Sequence, residues 1–154
     1  MKFKFFIFAL IITAFLSSNI NSDNTIKEGS KAPAIERISG EKENLNDGKY
    51  RLINFWSPKN PESRIANKTY SDLVEKKPDL KVEFISISTD SDDLLSDEVR
   101  KYDGADKSGK YYSYSELNRR VFKDYKVTDS PSAFLISPEG KIIGVNNSIK
   151  SILQ

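Results

Sequence analysis

Arg51-Leu52-Ile53-Asn54-Phe55-Trp56-Ser57-Pro58-Lys59-Asn60-Pro61-Glu62-Ser63-Arg64 is the stretch from which the rest of the chain can be read. Leu52, Ile53, Phe55 and Trp56 form too continuous an apolar run for a half-exposed strand. Residues 50–56 are therefore expected to form a central strand covered by helices on both faces. Ser57-Pro58-Lys59 is a loop. Asn60 is a favoured N-cap, Pro61 suits the first helical position, and Glu62 complements the positive end of a helix dipole. A helix therefore opens at Asn60, directly after the strand.

Working towards the C-terminus, Glu62 to Lys76 has helical character. Ile65, Tyr70, Leu73 and Val74 are expected to share its buried face, with Asn67, Lys68 and Asp72 outside. Lys77-Pro78-Asp79 ends it. Val82 to Ser88 carries Val, Phe and Ile at strand spacing, so strand, helix and strand suggest a right-handed unit with parallel strands. A second helix is expected from about Asp92 to Tyr102, then a loop marked by Asp103-Gly104 and Ser108-Gly109-Lys110. A third helix is expected over 115–125, with Leu117, Val121, Phe122 and Tyr125 as its apolar face. Residues 132–137 read as a strand, Ser137-Pro138-Glu139-Gly140-Lys141 as a turn, and 142–146 as its antiparallel partner. Residues 148–153 have room for two helical turns. On the N-terminal side, Asn46-Asp47-Gly48-Lys49 is a turn signal, and 26–43 is a polar lead-in expected to be extended or a short hairpin.

The chain has 154 residues, no cysteine and no histidine; Met1 is its one sulfur-containing residue. Lys2 and Lys4 precede an apolar run from Phe5 to Leu16, then Ser17-Ser18-Asn19. That is a secretory signal pattern, expected to be cleaved after Ser22, with Ile20 and Ser22 where the peptidase reads. An uncleaved N-terminal anchor is the alternative, although the run is short for a bilayer. A lipid anchor would need a cysteine. Residues 1–22 are thus assigned as a signal peptide and 23–154 as one domain, exported to the periplasm or secreted. The segment 1–22 holds two lysines and no acid, so the net charge of +2 belongs to it and the remainder is balanced. A balanced domain gives no electrostatic case for nucleic acid, or for a membrane once the signal is removed. Without cysteine it forms no disulfides in an oxidising space.

Three pieces carry a family resemblance. They are Gly29-Ser30-Lys31-Ala32-Pro33, the segment from Asn54 to Arg64, and Val127-Thr128-Asp129-Ser130-Pro131-Ser132-Ala133-Phe134-Leu135-Ile136-Ser137-Pro138-Glu139-Gly140-Lys141-Ile142. In this order they resemble the thioredoxin-like superfamily, and within it the secreted thiol-disulfide oxidoreductases of the TlpA and ResA type, related to AhpC/TSA proteins. The resemblance implies an α/β thioredoxin-like fold, with a central mixed sheet flanked by helices, over nearly all of residues 23–154. It implies that the two cysteines of a C-x-x-C pair would stand at Asn60 and Ser63. It also implies a cis-proline at Pro131 and a peptide groove between the helix start and that loop, at Trp56, Lys59, Asn60, Ser130 and Pro131. A cis Ser130-Pro131 bond would serve folding alone, or a groove that holds an extended peptide by strand addition.

The chemistry of such enzymes needs sulfur. A thiolate at the helix N-terminus, its pKa lowered by unpaired N–H groups and the dipole, attacks a disulfide, and the second cysteine resolves the product. Neither an amide at Asn60 nor a hydroxyl at Ser63 can substitute, and peroxide reduction fails for the same reason. Ser63 as a nucleophile has no histidine base; a pairing with Lys59 has no support in the sequence. A zinc site lacks its usual ligands. Asp90-Ser91-Asp92-Asp93 lacks the glycine and spacing of a calcium loop and reads as the acidic start of a helix. No catalytic residue, cofactor or metal is expected. Tyr111-Tyr112-Ser113-Tyr114 is either an exposed contact patch or a loop folded over the core. The expected function is a redox-inactive binding or structural module, with an exported protein or peptide as its partner and an undefined oligomeric state. The alternative is a thiol-disulfide oxidoreductase that acts with cysteines of its partner.

Overall fold

The computed structural model describes residues 26–128 and 132–153. The N-terminal segment assigned as a signal, its cleavage point, and Ser130 and Pro131 lie outside the described residues.

β1 (Tyr50–Trp56) is the centre of a five-stranded sheet of order β3-β2-β1-β4-β5. β2 (Val82–Ser88) pairs with it in parallel, with Asn54 opposite Ser86 and Trp56 opposite Ser88. β3 (Lys110–Tyr112) continues in parallel beyond β2. On the other side β4 (Ser132–Ile136) and β5 (Ile142–Val145) are antiparallel, joined by the turn read at residues 137–141. The sheet is therefore mixed. Every residue of β1 after Tyr50 is buried, as its unbroken apolar run requires.

The two faces of β1 point into different cores, because side chains alternate along a strand. Ile53 and Phe55 face Ile35, Ile87, Leu117, Val121, Tyr125 and Phe134, under the lead-in and α3 (Arg120–Asp124). Phe55 stacks against Tyr125 with centroids 5.1 Å apart. Leu52 faces Tyr70, Phe84, Leu135, Ile149 and Leu153, under α1 (Pro61–Lys76) and α4 (Asn147–Leu153). α2 (Asp93–Tyr102) sits on the α1 side, where Ser96 Oγ lies 2.8 Å from Ser88 Oγ. Each large apolar side chain buried this way contributes roughly 1.5–3 kcal/mol relative to exposure.

Three local expectations change. On α1, Ile65 is 67% exposed and Asn67 is buried, the reverse of the expected arrangement. The reason is the sheet beneath, which presents Asn54 and Ser86 and so selects a polar partner. The third helix is shorter than 115–125, because Leu117 bridges to Arg37 and the backbone of Glu116 and Asn118 bonds to Ile38 and Glu36. Those contacts hold residues 116–118 to the lead-in, which is folded as a small hairpin closed at Glu36 and Lys42. The expected loop at Lys110 is instead the short strand β3. Gly109 enables it: φ is +81°, and a Cβ there would lie 2.2 Å from the Phe84 carbonyl oxygen. Of the tyrosines, Tyr112 folds into the core while Tyr114 packs on Phe122 at 5.0 Å.

Candidate functional site

The helix start lies at the C-terminal ends of β1 and β2, where parallel strands of an α/β sheet commonly present their sites. Asn60 has an extended backbone (φ −107°, ψ 115°), and its side-chain oxygen accepts the Ser63 N–H at 3.1 Å. Its carbonyl accepts the Arg64 N–H at 3.0 Å. Pro61 has no N–H to satisfy. Ser63 is fully buried, and its Oγ accepts the Ser57 N–H at 2.8 Å. Both side chains thus bond to backbone: Asn60 caps the helix, and Ser63 ties the preceding loop to it.

Trp56 and Lys59 differ sharply. Trp56 is wholly buried, so it forms the floor under the loop and offers no surface. Its carbonyl accepts both the Thr89 N–H at 2.8 Å and the Thr89 hydroxyl at 3.1 Å. Lys59 is 63% exposed, with Nζ 2.9 Å from Asp90 Oδ2. The Asp90 carboxyl is held below its ordinary range, first by the Asp92 N–H and then by Lys59. The segment read against a calcium loop therefore turns one carboxylate towards its own backbone and Lys59. Among the described residues no group of three or more acidic side chains is placed to hold a metal ion.

Below the helix start is a polar layer that sequence reasoning missed. Asn67 Oδ1 accepts Asn54 Nδ2 at 3.1 Å and Ser86 Oγ at 2.9 Å. Asn54 Oδ1 and Trp56 Nε1, also buried, have no hydrogen-bond partner among the described residues. A signal was present in the sequence: Asn54 and Ser86 break two apolar strands, and a buried amide needs a partner on the helix that covers it. To the side, Arg64 grips Asp103 through two bonds, Nε–Oδ2 at 2.9 Å and Nη2–Oδ1 at 2.6 Å, clamping α1 to the end of α2. Trp56, Lys59, Asn60 and Ser63 are thus brought together. The opposite wall of the expected groove, Ser130 and Pro131, lies outside the described residues.

Comparison with known proteins agrees with this geometry. The model of the AhpC/TSA family matches residues 29–145. The thiol-disulfide oxidoreductase ResA of Bacillus cereus is 28% identical over 166 residues, covering 93% of this chain and 88% of that protein. A thioredoxin-like protein from Parabacteroides distasonis superposes with a TM-score of 0.66 at 29% identity, over 84% of this chain and 96% of that one. The thioredoxin domain of a thiol-disulfide oxidoreductase from Bacteroides vulgatus gives 0.65 at 21% identity, over 84% and 100%. The fold is thioredoxin-like, with the mixed five-stranded sheet flanked by helices that the sequence implies.

Proposed function

This chain belongs to the AhpC/TSA family and holds no cysteine, and from those two facts we propose that it is a redox-inactive thioredoxin-like module of the cell envelope that binds or scaffolds another exported protein or peptide. The observation that carries the reading is the closed helix start. Asn60 and Ser63, which the resemblance sets at the positions of a reactive pair, are engaged with the Ser63 and Ser57 N–H groups. The apolar run after Lys2 and Lys4 supports export, and no helix among the described residues is long and apolar enough to cross a membrane. Lys59, exposed and paired with the nearly buried Asp90, forms the rim that a peptide beside the helix start would meet.

The family supports a second reading, a thiol-disulfide oxidoreductase that works with cysteines of its partner. One assay separates the two: disulfide reduction by the parent beside an Asn60→Cys/Ser63→Cys variant. The parent is expected to be silent and the variant active, because the dipole and N–H groups of α1 would lower the pKa of a thiol at residue 60. Turnover by the parent would overturn the proposal. Silence in both would show that Asn60 and Ser63 do not occupy the positions of the pair.

A further inference from the structure

From the first turn of α1 onward, α1 and α4 flank an open groove. Two adjoining hollows of about 500 Å³ each share Thr69, Tyr70 and Lys150. Ala66, Tyr70, Leu73 and Leu153 supply an apolar lining, and the exposed Ile65 stands at its edge. The ends differ in charge. Glu62 lies at one, and Lys76, Lys77 and Lys150 gather towards the other. Asp72, the acid among these lysines, is already held by Lys68 and lies 3.7 Å from Lys76. Lys77 Nζ donates to the Leu153 carbonyl, and Lys150 makes no ion pair among the described residues.

We propose that this groove binds an amphipathic helix of a partner protein, apolar face down, with acidic side chains against Lys76, Lys77 and Lys150. Its walls are α1 and α4, with Ala133 of β4 and Asn146 at one end; the Ala133 N–H and carbonyl are both taken by Asn146, so that strand presents no free edge to an extended peptide. A third helix packs between two others by ridges and grooves. α1 has 16 residues, about 24 Å, and α4 has 7, about 10 Å, so a four-turn helix lies along α1 and is flanked on both sides for about two turns. Charge sets the direction. The positive end of the partner's dipole belongs beside Glu62 and its negative end beside the lysines, so the partner runs parallel to α1. The groove adjoins the helix start at Glu62 and is distinguished from it by the lysines at its other end.

The test is an NMR titration of ¹⁵N-labelled protein with an end-capped peptide of about four turns. The probe carries leucines at i, i+3, i+4 and i+7, lysines in its first half and glutamates in its second. A twin has lysine and glutamate exchanged. The probe is expected to shift amides of α1 and α4 saturably, and the twin to bind about tenfold more weakly. A Lys77→Glu/Lys150→Glu variant should reverse that preference; both lysines are exposed, so the fold should be retained, which circular dichroism checks. The proposal is overturned by no saturable shift at about 1 mM peptide, by equal affinity for probe and twin, or by shifts centred on residues 57–60.

Discussion

Replacing Asn67 by leucine tests the polar layer beneath the helix start. The Asn67 side chain is almost fully buried and is the acceptor for both Asn54 Nδ2 and Ser86 Oγ. Leucine fills a similar volume and accepts nothing. Two buried donors would lose their partner, at about 1–3 kcal/mol each. The added apolar burial offsets roughly 1–2 kcal/mol. The net loss is then about 2–3 kcal/mol at the middle of these ranges and at most about 5, a large part of a domain stability of about 5–15 kcal/mol. The complementary variant removes the whole layer: Asn54→Leu/Asn67→Leu/Ser86→Ala. With no donor left unpaired it should recover to within about 1 kcal/mol of the parent. Urea unfolding reads both, provided the slope is unchanged. The reasoning fails if Asn67→Leu is neutral, or if the three substitutions together cost the sum of their separate effects, since groups in one network should couple.

Three further outcomes follow from the geometry. Asn60→Ala removes the cap on Ser63 N–H and should cost about 1 kcal/mol, read as a lower unfolding midpoint, with Asn60→Asp close to the parent. Gly109→Ala places a Cβ against the Phe84 carbonyl at positive φ; it should destabilise by more than about 1 kcal/mol and raise amide exchange in β3. Acid should also destabilise. Arg51 holds the Asp47 carboxyl down to about 2, and Lys101 and then Arg100 lower that of Asp97. Groups depressed in the folded state stabilise it above their unfolded pKa of about 4, and that contribution fades as pH falls from about 5 towards 2. Urea midpoints flat from pH 7 to pH 3 would contradict this.

The fold was legible because its signals were local. The apolar run of β1, the Asn60-Pro61-Glu62 start and the turn before β5 each name an element and its end. What the sequence hid was set by partners distant along the chain. Asn67 looks like a surface residue until Asn54 and Ser86 are seen side by side in register beneath it. Leu117 fits a helical face until the lead-in bridges to it through Arg37. The short strand β3 has too few residues to show a period, and its position rests on one glycine. The site was legible in part: the closure of the helix start follows from capping preferences and the burial of Trp56 from the apolar run of β1, whereas the pairing of Lys59 with Asp90 depends on how the β2–α2 loop folds over β1.

That closure bears on how any partner at the helix start would be recognised. A helix N-terminus concentrates positive potential and unpaired N–H groups, which is what makes such a position suited to a thiolate. Here Asn60 takes the Ser63 N–H through its side chain and the Arg64 N–H through its carbonyl, while Ser63 turns inward to the loop. The Ser63 N–H, a donor that would favour an attacking anion, is therefore committed to a neutral group of the same chain. Lys59, mostly exposed, still faces outward, but its charge is balanced by the nearly buried Asp90. A ligand at this end meets a capped surface whose Lys59–Asp90 pair is balanced and whose further charge is the exposed Glu62, and is held mainly by shape and backbone contact. Its binding should accordingly be reversible and weakly dependent on salt, in contrast to the lysine-edged groove between α1 and α4, where raising ionic strength should release an acidic helix. Salt titration of the two surfaces would therefore tell them apart even where both bind segments of one protein.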